Sequence, residues 1–223
     1  MRKTVILILC LNIFSISQAQ DILDINYSEM EKEINDENSE SYYPKLLQRY
    51  NDFDSTLTIW EYALVYYGFS FHENYMKAQS ADKDIKKIAN EEDYEKTITV
   101  CEQVLKINPV SLDANNEIGY ALFKLGKPES EWKKYQTRYR AIRKVIAMSG
   151  DGLSAKTAFK VIFVSDEYNM MYSYFEISKI HSQALTNEAC DRFKIDPGEY
   201  YSNSEIYFDI SRKLIKMQDL FKK

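Results

Sequence analysis

The sequence predicts an α+β fold, mainly helical, in which helical hairpins are followed by a small antiparallel-sheet unit. Apolar residues recur at helical spacing from Tyr42 to Met148. Beyond the turn cluster Ser149-Gly150-Asp151-Gly152 they alternate in short runs instead. Composition agrees: 45% hydrophobic and 28% charged over 223 residues supplies a real core and excludes a disordered tail. Lys+Arg 29 against Asp+Glu 34, a net charge of −5, argues against nucleic acid as a partner.

The chain opens on an export signal. Met1-Arg2-Lys3 is basic, Thr4 to Ile16 is largely apolar, and Ser17-Gln18-Ala19 puts small residues where a signal peptidase reads. Residues 1–19 therefore read as a signal peptide cleaved after Ala19. Its apolar run of about 13 residues falls short of the ~20 needed to cross a bilayer. No later segment reaches that length, so no transmembrane segment is expected after signal removal. Cys10 follows Leu9 rather than a small residue, which disfavours a lipid-bearing cysteine. The expected location is periplasmic or extracellular. Cys101 and Cys190 remain, and an oxidising compartment permits a disulfide. Cys101 lies on an apolar helix face, so two buried, unpaired thiols are the expectation.

Residues 20–40 read as an acidic leader, with Glu29, Glu31, Glu33, Asp36, Glu37 and Glu40. Met30 and Ile34, four apart, allow a short helix in it. Residues 41–148 form the helical region. Pro44 suits a first helical turn, and Leu46, Leu47 and Tyr50 share a face. Ser55 or Thr56 is expected to cap the next helix, with Glu61 in its early turns and Gly68 at its end. The aromatics Trp60, Tyr62, Tyr66, Tyr67, Phe69, Phe71 and Tyr75 read as core rather than as a stacking surface. Tyr94, Ile98, Cys101 and Leu105 line another helix, which Asn108-Pro109 breaks. Ala114, Ile118, Ala121, Leu122 and Leu125 line the next, closed by Gly126. Glu131 to Met148 continues as a helix, and its Lys133, Lys134, Arg138, Arg140, Arg143 and Lys144 read as a solvated basic face.

Residues 149–223 form the α+β unit, expected to share one core with the helices. Phe159 to Val164 predicts a buried strand and Tyr168 to Phe175 a short helix. One or two strands follow, around Leu185 and Phe193–Ile195, then the turn Asp196-Pro197-Gly198, a strand at Ile206–Ile210 and a closing helix. Asp166, Glu167, Asp191, Asp196 and Asp209 read as solvated acids at turns and strand ends.

From Tyr94 to Gly126 the residues resemble a tetratricopeptide repeat: Tyr94 and Ile98 open the first helix, Pro109 ends it, and Ala114, Ile118-Gly119, Ala121 and Gly126 follow at the expected spacing. The match covers about one and a half repeats. That resemblance places Asp113, Asn116, Tyr120, Phe123 and Lys124 on a concave face that docks an extended peptide or a helix. A second resemblance spans most of residues 40 to 212. Tyr42-Tyr43-Pro44-Lys45-Leu46-Leu47, Tyr66-Tyr67-Gly68, Ser149-Gly150-Asp151-Gly152, Glu167-Tyr168, Cys190-Asp191 and Tyr207-Phe208-Asp209 resemble a family of exported Bacteroidetes proteins classed only as a domain of unknown function. It implies export and a similar fold, and no activity.

Gly150-Asp151-Gly152-Leu153-Ser154-Ala155 fits G-x-G-x-x-A, but a helix precedes it and a strand follows, the reverse of a dinucleotide site. It reads as a turn, with Asp151 as a candidate binding-loop residue. His72 and His181 are far apart, and no metal-ligand spacing or nucleophile motif is present. No catalytic residue, metal or cofactor is assigned. The expected function is a non-catalytic interaction module of the bacterial cell envelope, with a protein or peptide partner. The alternative is an envelope enzyme, hydrolase-like, with Ser154 or Ser182, His181 and Asp151 brought together, or a glycan-binding protein with its site between the helices and the sheet.

Overall fold

A computed structural model describes residues 22–221. The segment read as a signal peptide, residues 1–19, lies outside them. Helices α1 (Tyr27–Asn35), α2 (Tyr43–Asn51), α3 (Ile59–Gly68), α4 (Tyr75–Ala78), α5 (Ile85–Ala89), α6 (Tyr94–Ile107), α7 (Leu112–Lys124) and α8 (Glu129–Ala147) come first. Then come β1 (Phe159–Lys160), α9 (Val164–Asn169), β2 (Ile180–Leu185), β3 (Cys190–Ile195), β4 (Glu205–Asp209) and α10 (Ser211–Phe221). The fold is therefore α+β and mainly helical. No described helix is long and apolar enough to cross a membrane.

The acidic stretch contributes to the core. Asn26 caps α1 by accepting from the Ser28 and Glu29 amides, and Met30 and Ile34 are buried against the rest of the chain. Only the other face of α1 carries its carboxylates outward. Helix α3 is buried almost all round, and its cap lies two residues later than Thr56. Its cap is Thr58, whose hydroxyl accepts from the Glu61 amide while the Glu61 carboxylate accepts from the Thr58 amide. This reciprocal box satisfies two amides that a helix start leaves orphaned, which Ser55 and Thr56 are too early to reach. Thr58→Ala should cost about 1 kcal/mol in urea unfolding, against a few tenths for Ser55→Ala.

One core cluster runs from Ile25 through α3 and α8 to Ile210, so helices and sheet share an interior. A second, smaller cluster holds Ile85, Cys101, Val104, Ala114 and Ile118, between α5, α6 and α7. Helices α6, α7 and α8 pack in succession, and Gly126 turns the chain after α7 with φ +68°.

The sheet order is β1-β4-β3-β2. β2 and β3 form an antiparallel hairpin and β3 pairs antiparallel with β4, but β1 runs parallel to β4. The sheet is thus mixed, not antiparallel throughout. The strand expected over Phe159–Val164 is two residues long, and the helix expected from Tyr168 begins at Val164. The cause is a set of tyrosines from the helical half. Tyr67 Oη donates to the Lys160 carbonyl (3.0 Å), Tyr75 Oη donates to the Ile162 carbonyl (2.7 Å), and the Ile162 amide donates to Tyr66 Oη (3.2 Å). These hydroxyls take backbone groups that a strand partner would otherwise take, and beyond the Val161 amide, which donates to the Asp209 carbonyl (3.2 Å), the segment bends out of the ladder. After Asn169 the helix widens into a π segment, Met170–Tyr174.

Candidate functional site

Helix α7 starts at Ser111, whose Oγ accepts from the Ala114 amide (3.0 Å) and donates to Asp82 Oδ2 (2.9 Å). Asp113, Glu117, Tyr120 and Lys124 follow at i, i+4, i+7 and i+11, one stripe of the helix. Glu117 and Tyr120 from this stripe, with Lys86, Asn90, Glu92 and Tyr94, line a cleft of about 360 Å³. The Tyr94 and Tyr120 rings meet edge to face at 6.3 Å, and Lys124 Nζ sits 5.9 and 5.8 Å from their centroids. Burial pushes the Glu117 carboxyl up from its usual range, while the two phenols beside Lys124 push its ammonium up.

The five residues expected to share one face separate into three places. Asp113 is buried: its Oδ1 accepts from Asn169 Nδ2 (2.9 Å), and its Oδ2 lies 3.6 Å from Lys86 Nζ. Packing of α9 against α7 draws it inside, away from any partner. Tyr120, 48% exposed, lines the cleft, and Lys124 lies over its ring. Asn116 and Phe123 face α8, where Gln136 Nε2 donates to the Asn116 carbonyl (3.2 Å) and Phe123, 58% exposed, meets Trp132 edge to face at 5.7 Å. Glu117, Tyr94 and Lys86 were not singled out for a site. Glu117 lies on the 113-120-124 stripe and was legible there; Lys86 reaches the cleft only through the packing of α5.

Asp151 closes its own turn. Its Oδ1 accepts from the Leu153 amide (2.9 Å), and the Asp151 and Gly152 amides both donate to the Thr157 carbonyl. Gly152 is required there: φ is +69°, and a Cβ would stand 2.4 Å from the Phe159 ring. The hydrolase grouping does not form. His181 Nε2 pairs with Asp196 Oδ1 (2.7 Å), and Ser154 Oγ bonds Thr157 Oγ1 (3.0 Å). Cys101 and Cys190 are free and buried, their thiols pushed up by burial to about 12 and about 11. Among the described residues no group of three or more His, Cys, Asp or Glu is placed to hold a metal ion.

Three acids expected in solvent lie inside. Asp166 accepts a hydrogen bond from Tyr66 Oη (2.5 Å), and burial holds its carboxyl well above the usual range. Glu167 is 0% exposed, and neither of its oxygens meets a hydrogen-bond partner. Burial first, then the neighbouring Asp191 carboxylate, pushes Glu167 up to about 9. Asp191 accepts from Gln183 Nε2 (2.8 Å). Arg138, expected on a solvated face, is likewise buried: its guanidinium stacks on Phe53 (3.3 Å) and donates to the Tyr50 carbonyl at the end of α2. A helix C-terminus favours a cation at that position.

These features define a class: a mainly helical α+β protein with a small mixed sheet, buried carboxyls at the junction, and an open cleft of mixed charge on the helical half. The chain belongs to the family described as domain of unknown function DUF4919, which matches residues 28–219. Neither the curated proteins nor the solved structures provide a match.

Proposed function

We propose that the chain is an exported, non-catalytic interaction module of the bacterial cell envelope, and that it docks a protein or peptide along α7. The observation that carries this reading is exposed aromatic surface at two places along α7, Tyr120 at a cleft holding both Lys86 and Glu117 and Phe123 beside α8. Exposed aromatic surface is costly to leave in water and is enriched where partners dock. The basic and apolar start of the sequence, Met1 to Ala19, supports export. The tetratricopeptide-like spacing from Tyr94 to Gly126 supports docking of an extended or helical segment.

The test is affinity capture from a native envelope extract, using residues 20–223 as bait beside a Tyr120→Ala/Phe123→Ala version with an unchanged circular dichroism spectrum. One stoichiometric protein should be held by the first bait and lost by the second. Equal recovery on both baits would remove α7 as the docking surface.

A further inference from the structure

The junction between the π segment and the sheet holds a second recess, unrelated to α7. Its volume is about 390 Å³, and its wall is formed by four aromatic residues, Phe159, Tyr174, Phe175 and Tyr200. Phe159 and Phe175 form its floor, tilted against each other at 5.1 Å, and Tyr174 meets Phe175 edge to face at 5.1 Å. Tyr200 is 62% exposed, an unusual position for a ring that nothing covers.

The local backbone is specialised. Tyr174 is the last residue of the π segment, a rare form that is frequent at functional sites. Two residues on, Glu176 is held at φ +54°, a left-handed conformation that costs a non-glycine residue energy. Gly198 brings the Tyr200 turn against this segment: a Cβ there would stand 2.1 Å from the Phe175 carbonyl oxygen. Two exposed carboxylates neighbour the rings in the chain: Glu176 follows Phe175 and Glu199 precedes Tyr200. Glu199 first, then Glu176, hold the Tyr200 phenol above its usual range.

We infer that this recess binds an alkylated ammonium ion, with Tyr200 as the exposed ring over the nearly buried Phe159 and Phe175, and the exposed Glu176 and Glu199 as the neighbouring negative charge. The residues that line it are all aromatic and, apart from two phenol hydroxyls, bring no hydrogen-bonding side chain. A sugar needs fixed donors and acceptors around its hydroxyls; a quaternary ammonium needs none and is held by ring quadrupoles. Arg143 already stands 5.5 Å from the Tyr174 ring centroid and donates to the Ser173 carbonyl. Tyr174 is therefore partly engaged, and Tyr200 is the residue to test.

The experiment is calorimetric titration of residues 20–223 with choline and with its neutral isostere 3,3-dimethyl-1-butanol. Choline should bind saturably below about 10 mM, at least about tenfold more tightly than the isostere. Tyr200→Ala, at an exposed position, should abolish binding, Tyr200→Phe should retain it, and Glu199→Gln should weaken it several-fold. Sedimentation with phosphatidylcholine vesicles separates the sources: Tyr200-dependent pelleting marks a lipid headgroup, and choline binding without pelleting marks a free ammonium solute. Equal affinity for choline and its isostere, no saturable choline binding, or binding indifferent to Tyr200→Ala would overturn the proposal.

Discussion

Glu167→Gln should remove most of a stability loss that the wild-type chain suffers as pH rises from about 5 to about 9. An unfolded glutamate ionises near 4.3. The folded one, sealed from water beside Asp191, keeps its proton until about pH 9. Between those values the folded state binds more protons than the unfolded state, so stability falls with rising pH, by about 1.4 kcal/mol for each unit crossed. The contribution is fully present below the unfolded value and is lost through the folded one. Glutamine has the same shape and no proton to lose. At pH 8 the variant should be more stable than wild type by on the order of 2–4 kcal/mol, and the two should converge near pH 5. A slope should persist in the variant, because Asp82, pushed up to about 6, and Asp166 act in the same sense. Urea unfolding at several pH values decides the matter; parallel profiles would show that Glu167 is ionised in the fold.

Tyr66→Phe should cost about 2–4 kcal/mol, far more than the loss of one ordinary hydrogen bond. Tyr66 Oη donates to Asp166 and accepts from the Ile162 amide, with all three groups buried. Phenylalanine fills the same space and leaves a carboxyl and an amide without partners. Such orphaned groups carry the full desolvation penalty. Tyr67→Phe, which removes a single donor to the Lys160 carbonyl, should cost about 1 kcal/mol. The ordering of the two variants in denaturant unfolding is the measurement. Equal costs would mean that Tyr66 contributes bulk alone.

The helical half was legible because its information is local. Pro44, Asn108-Pro109 and Gly126 punctuate it, and Met30/Ile34, Leu46/Tyr50 and Ala114/Ile118/Ala121 keep helical spacing to a buried face. The strand near Ile206–Phe208 and the stretch Asp191–Ile195 of β3 alternate as half-covered strands do, whereas β2 is exposed along nearly its whole length. The candidate site was less legible. Tyr120 and Phe123, three apart, looked like neighbours on one face, yet each ring is claimed by a different helix, α6 and α8. Asp113 carries the same local pattern as an exposed helix acid, and only Asn169, 56 positions away, takes it inside.

The sequence by itself determined the mainly helical α+β class, the order of its longer helices and of the closing strand and helix, the aromatic core and the turn at Asp151. Each rests on spacing or backbone preference within a few residues. Tertiary structure alone decided that β1 stops at Lys160 and runs parallel to β4. It also decided that Asp166, Glu167 and Arg138 lie in the interior, and that four aromatic rings close around one recess. In every such case the partner comes from far along the chain: Tyr66 for Asp166, Asp191 for Glu167, Tyr50 for Arg138 and Tyr200 for Phe159. Whether a carboxyl or guanidinium meets water or another side chain depends on which surfaces the fold brings together, and local periodicity carries no record of that.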